Sequence, residues 1–258
     1  MSAAVEIAPT TRKGYGSGGA QRRFEAIDAR GSRRHFADTH PAIAEGRTVM
    51  PSRVFQPGEL PRLLVSGVNS RKIGKKVTKG RWKGAPIFTL TLEERATCPR
   101  TCSEWRTCYG SNMQYARRIA HGPEFERLLW QELEAKQAAH PAGFVVRLHV
   151  LGDFYSPDYV ELWGEALAVF PALRVFGYTA REPDSPEGAV VRELLGLHPD
   201  RWCIRFSGLD ADTDGAVVIE RGEATRHTIC PAQTGGTDCC ATCALCWHSD
   251  QTIAFWRH

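Results

Sequence analysis

Eight of the nine cysteines in this 258-residue chain fall in two tight clusters, and that arrangement constrains the fold more than any other feature. The first cluster reads Cys98-Pro-Arg-Thr-Cys102-Ser-Glu-Trp-Arg-Thr-Cys108. The second runs from Cys230 through Cys239-Cys240-Ala-Thr-Cys243-Ala-Leu-Cys246. Thiols so close in sequence converge readily on one metal centre. A disulfide demands a pair geometry that such short links rarely meet. A metal or iron–sulfur protein is therefore the first expectation.

Composition supports a folded domain: 42% of residues are hydrophobic and 24% charged, enough for one large core. No apolar run approaches the ~18 residues of a membrane span. The first residues lack the apolar centre of a signal peptide. The expected setting is cytoplasmic, with no membrane partner, and a reducing compartment favours metal ligation over disulfides. Charge is uneven. Residues 1–84 hold 17 Lys/Arg and 6 Asp/Glu, or +11, which leaves −7 for the rest of a chain whose net charge is +4. Residues 71–83 concentrate the cations Arg71, Lys72, Lys75, Lys76, Lys79, Arg81 and Lys83 around Trp82. That pattern suits a phosphate backbone, and equally a solvated face.

Residues 1–60 show no sustained apolar period, and we expect a basic arm there that is poorly ordered or draped over the body. Leu63 to Val65 and Ile87 to Leu92 read as strands, the second leading straight to the first cysteines. Apolar residues from Phe125 to Leu133 recur at helical spacing and predict a helix over about 123–138. A strand follows at Phe144 to Leu151, stopped by Gly152-Asp153. Ser156-Pro157-Asp158 and Ser185-Pro186-Glu187 each open a helix with an N-cap, a first-position proline and an acid at the positive dipole end. Strands at Leu173 to Tyr178 and Arg201 to Phe206 alternate with them. This alternation implies parallel strands in an α/β fold, a partial or complete (β/α) barrel. The expected domains are the barrel over residues 61–220, with strands from 87 on, and a cysteine-rich appendage over 221–258.

In such folds the chemistry sits at the carboxyl ends of the strands. Gly152, Asp153, Tyr178 and Arg181 lie there. Arg147 and Arg205, on strands, would need a partner such as Asp153 or a substrate carboxylate. Cys98, Cys102 and Cys108 leave a bound metal one ligand short of tetrahedral closure, the condition of a reactive site. The alternative is a structural zinc knob closed by His121 or a C-terminal cysteine. A helix is expected to begin near Asn112. In the tail, Cys230, Cys239, Cys243 and Cys246 make a closed set of four for iron–sulfur or zinc, with Cys240 spare or exchanging with Cys239. Cys203, in an apolar strand, reads as a structural thiol, and His149 as a core residue.

The runs PIFTLTLEERATCPRTC, CYGSNM, VVRLHVLGDFYSPDYVELW, VFGYTAR and CPAQTG with CCATCALCW resemble the gene product 88 proteins of phages and mobile elements. More distantly, a cysteine trio after the first strand, a Gly-Asp at the end of a later strand and a cysteine-rich tail are similar to radical S-adenosylmethionine enzymes. That resemblance implies a four-iron four-sulfur cluster on Cys98, Cys102 and Cys108, S-adenosylmethionine on its open iron, and Gly152 and Asp153 against that cofactor. Here the second gap of the trio holds five residues where those enzymes have two. Thr107 stands where they place an aromatic, and Tyr109 follows the third cysteine.

The leading expectation is thus a radical S-adenosylmethionine-like iron–sulfur enzyme of unknown substrate, served by an electron donor. Asp153, Tyr178, Arg181 and Arg205 would meet the substrate, and the tail would hold an auxiliary cluster or zinc. The alternative is a non-catalytic, metal-stapled protein that binds nucleic acid through residues 71–83 or senses redox state. A third arrangement gathers both clusters around one centre.

Overall fold

From Phe144 to Leu148 five residues are buried or half-buried in succession, so this strand has no solvent face. Such a run is what a parallel sheet covered on both sides requires. The computed structural model describes residues 34–257. The strands in chain order are β1 (Val54–Phe55), β2 (Val65–Ser66), β3 (Ile87–Thr89), β4 (Arg118–Ile119) and β5 (Phe144–Leu148). They continue as β6 (Leu173–Thr179), β7 (Trp202–Ser207), β8 (Gly215–Ile219), β9 (Thr228–Ile229) and β10 (Ile253–Trp256). The helices are α1 (Pro41–Ala44), α2 (Pro123–Ala139), α3 (Pro157–Val169), α4 (Pro186–Leu197), α5 (Pro231–Thr234), α6 (Cys240–Cys243) and α7 (Leu245–His248).

Eight strands form one sheet in the order β2-β3-β5-β6-β7-β8-β10-β9, while β1 and β4 pair separately. Every pairing in the large sheet is parallel except β2 with β3. The α/β class and the parallel order are as expected; a closed barrel is not. The sheet ends on β2 and β9, and these edges do not pair with each other.

Side chains alternate across a strand, so the two faces collect different partners. Val146, Leu148, Val175, Ile204 and Phe206 meet Phe125, Leu129, Trp163, Leu167 and Val191 of the three long helices. On the other face Val145 and Phe176 pack with Val77, Trp82, Cys240 and Trp247. The interior of the sheet is therefore covered by the cysteine-rich tail and the basic segment. The tail is no appendage: β10 sits inside the sheet between β8 and β9.

The helix caps are as predicted. The Ser156 hydroxyl accepts from Tyr159 N–H, and the Ser185 hydroxyl from Gly188 N–H. Two expectations are corrected. Instead of a helix near Asn112 there is a single 3₁₀ turn (Tyr109–Asn112), after which the chain enters β4. Residues 34–60 of the expected arm are ordered as α1, β1 and two short turns, with Ala42, Ile43 and Thr48 buried, so this part is draped over the body and not poorly ordered. The remainder of that arm lies outside the described residues. No helix among the described residues is long and apolar enough to cross a membrane.

Candidate metal centres

The first cysteine loop leaves the carboxyl end of β3 and is pinned at both ends by one buried ion pair. Arg118 and Glu94 have side chains 0% and 1% exposed, with Arg118 Nε to Glu94 Oε2 at 2.6 Å and Nη2 to Oε1 at 3.0 Å. Arg118 also donates to the carbonyls of Gly110 (2.8 Å) and Ala116 (3.0 Å), and the Thr48 hydroxyl donates to Glu94 Oε1 at 2.7 Å. Both charges are thus fully hydrogen-bonded, the condition under which a buried pair is tolerated. Neither residue carries a recognisable sequence signal beyond the position of Glu94 ahead of Cys98.

Within this loop Cys98, Cys102 and Cys108 act on one another. Burial, then the charges of Asp153 and Cys108, pushes the Cys98 thiol well above its usual value. Burial raises Cys102 as well, and lifts Cys108 to about 12 with Glu94 adding to it. One backbone N–H opposes each rise: Arg95 at Cys98, Glu104 at Cys102 and Gly110 at Cys108. The three thiols are half-buried, and thiols so desolvated are poor acids alone; a metal ion's own charge inverts that preference. Cys102 also lines a cleft of about 620 Å³ beside Arg100, Trp105 and Arg106. His121 packs against Tyr155 with ring centroids 4.7 Å apart and planes tilted by 49°.

The strand-end residues expected to meet substrate are engaged within the protein. Asp153 Oδ1 accepts from Phe154 N–H (2.8 Å) and the Thr179 hydroxyl (2.7 Å), and Oδ2 accepts from Ala180 N–H (2.7 Å). Burial raises this carboxyl to about 6 against those donors. Arg181 donates to the carbonyls of Phe154 (2.7 Å) and Thr97 (3.0 Å) and pairs with Glu187 at 3.3 Å. Together they clamp the ends of β5 and β6 to the residue before Cys98. Gly152 adopts φ +84°, and a Cβ there would lie 2.6 Å from both Leu92 and Thr97. Its lack of a side chain admits the cysteine loop, so close packing occupies the place where the resemblance puts a cofactor.

Tyr178 and Arg205 face the tail. The Tyr178 hydroxyl lies 2.9 Å from Cys246 Sγ. Arg205, 2% exposed, donates to the carbonyls of Asp250 (2.8 Å) and Ser249. A small cavity is lined by Cys230, Cys240, Cys243 and Cys246. Burial raises Cys230, Cys240 and Cys243, with the Cys246 charge adding to each. Cys240, and not Cys239, lines this cavity. The latter caps α6, its sulfur 3.6 Å from the Thr242 hydroxyl, within an apolar cluster. A helical turn separates Cys240 from Cys243, whereas Cys239 precedes the helix in extended backbone, so adjacent thiols point apart.

Trio and tail form two groups. Arg147 stands between them, its guanidinium 4.9 Å from the Tyr178 ring and its charge reaching both Tyr109 and Cys240. All nine cysteines are free thiols, and among the described residues no three His, Cys, Asp or Glu side chains are ready to hold a single ion. Cys203 accepts a contact from Arg81 Nη2 at 3.3 Å. His149 is buried, 3.0 Å from the Tyr159 hydroxyl, and burial lowers it to about 3. In the basic segment Trp82 is 4% exposed and stacked on Trp247, ring centroids 5.3 Å apart, so it offers no surface to a nucleobase.

An open, mostly parallel sheet with three thiols in a loop at a strand end and four around a cavity in the tail defines a thiol-rich α/β protein. The profile of the family described as gene product 88 matches residues 63–249, more than half of the chain. The chain belongs to the gene product 88 family. Neither the curated proteins nor the solved structures contain a match to it.

Proposed function

We propose that this protein is a cytoplasmic iron–sulfur enzyme with two centres. The reactive one is held by Cys98, Cys102 and Cys108 at the open ends of a radical S-adenosylmethionine-like, partial-barrel sheet. The auxiliary one is held by Cys230, Cys240, Cys243 and Cys246, with zinc as the alternative occupant. The observation that carries the reading is the trio itself: three half-buried thiols, each faced by a backbone N–H, beside an accessible cleft. Three thiolates leave one iron of a cubane without a protein ligand, whereas four close a site. Such a cluster supplies one-electron chemistry when bound.

This chain's own residues would hold the loop, exclude water and set charge around it. S-adenosylmethionine would be the ligand of the open iron, while Gly152 and Asp153 are already engaged within the protein. Asp153 and Arg181 become positioning residues, and the substrate approaches along the Cys102 cleft. The second reading, phosphate binding by the exposed cations Lys75, Lys76, Lys79, Arg81 and Lys83, is favoured by no further observation now that Trp82 is buried.

Anaerobic purification with iron, sulfide and zinc quantification tests the proposal. Cys98→Ala, Cys102→Ala and Cys108→Ala are each expected to remove one centre's metal, while Cys203→Ala leaves it unchanged. Full metal in all three trio variants would sink the assignment.

The tail makes a sharper expectation. Cys240→Ala should lose the auxiliary metal and Cys239→Ala should keep it, as read by elemental analysis of the folded variants. The reverse outcome would restore Cys239 as the ligand.

A further inference from the structure

Arg95 carries a conflict that the rest of the loop does not resolve. It is 3% exposed, and its non-glycine backbone sits at φ +66°, in the left-handed region. Nε donates to the Trp105 carbonyl at 2.9 Å and Nη2 to the Ser111 hydroxyl at 3.1 Å, both neutral acceptors. Nη1 is buried with no hydrogen-bond partner. Among the described residues no carboxylate pairs with this guanidinium, whereas its neighbour Arg118 takes both oxygens of Glu94. The Phe36 ring, 5.8 Å from Cζ, faces the guanidinium but supplies no counter-charge; a buried cation without a carboxylate is costly, and so is an orphaned donor, and strained backbone of this kind persists where function retains it. The charge of Arg95 reaches Cys102 and Cys108, and its own N–H faces Cys98.

We propose that Arg95 is the charge partner of the trio centre, donating from Nη1 to a sulfur of the bound cluster. This inference rests on the iron–sulfur reading above. Three thiolates outweigh the positive charge of a four-iron core and leave the centre anionic, and one-electron reduction deepens that charge. A buried guanidinium therefore stabilises the reduced form more than the oxidised one and raises the reduction potential. It is a positioning and tuning residue: the thiolates do the ligating.

The test uses the full-length, cluster-loaded protein titrated anaerobically with dithionite and followed by electron paramagnetic resonance, with iron and sulfide counted in the same samples. Arg95→Gln is expected to cut the reduced-to-oxidised ratio of one centre about tenfold at fixed poise, a shift of ~59 mV for a one-electron couple. The other centre should not move, and Arg95→Lys should recover most of the change. Loss of trio iron in Arg95→Gln but not in Arg95→Lys also supports a charge role. An unchanged potential in fully loaded Arg95→Gln overturns the proposal. So does equal iron loss in both variants, which makes the role one of packing. If the wild-type protein carries zinc without sulfide, the iron–sulfur reading itself fails. Zinc retention against a chelator in Arg95→Gln and wild type then decides the charge role separately, equal retention overturning it.

Discussion

Removal of residues 229–258 is expected to abolish cooperative folding. The deletion takes out β10, an inner strand whose loss leaves β8 unpaired on one side, and it removes Ile229 from β9. It also strips Trp247 from Trp82 and Phe176, whose ring centroids lie 5.3 and 4.6 Å away. Loss of a buried tryptophan alone costs roughly 3–5 kcal/mol. Arg205 would lose the Ser249 and Asp250 carbonyls that accept from its two terminal nitrogens, leaving a buried cation whose Nε already lacks a partner. These losses act on one face of one sheet, and their sum reaches the whole stability of an ordinary domain, about 5–15 kcal/mol. Circular dichroism and size-exclusion chromatography of the truncated chain check this. A soluble truncated protein melting cooperatively within a few degrees of full length would show that the tail is dispensable to the fold.

The second large effect is expected from Arg118→Met. Glu94 would keep only the Thr48 hydroxyl as a partner for a carboxylate 1% exposed. Breaking a buried pair from one side costs about 3–5 kcal/mol. In a chain of this size that lowers the melting temperature by roughly 6–20 °C, at about 2–4 °C per kcal/mol. Adding Glu94→Gln to Arg118→Met should restore part of the loss, because the second change removes the stranded charge. Urea denaturation of the single and double variants measures the coupling. Additive losses would mean the two side chains do not act as a pair. The pair closes the loop carrying the trio, so the single variant should also release the trio's metal sooner than wild type.

Much of the architecture was legible in the linear pattern because its causes are local. Ser156-Pro157 and Ser185-Pro186 start helices where hydroxyl, fixed φ and nearby acid agree, and the caps form as those residues dictate. The strands β5, β6 and β7 are apolar on both faces and announce a buried parallel sheet without help from any neighbour. The grouping of cysteines into a trio and a tail is likewise a matter of spacing.

Closure of the sheet, the partner of each strand-end residue and the choice between Cys239 and Cys240 belong to tertiary structure alone. Strand spacing is the same for an open sheet and a barrel; which edge strand meets which is a long-range decision, and here β10 returns from the far end of the chain to pair with β8. Asp153, Tyr178, Arg181 and Arg205 read as free chemistry because a sequence cannot display the Thr179, Cys246, Thr97 and Ser249 groups that engage them. Arg95 and Arg118 look alike in the sequence. Both are buried, and their partners separate them: Arg118 finds a carboxylate and Arg95 none, because low-dielectric surroundings make the nearest charge decisive and only the fold brings that charge near.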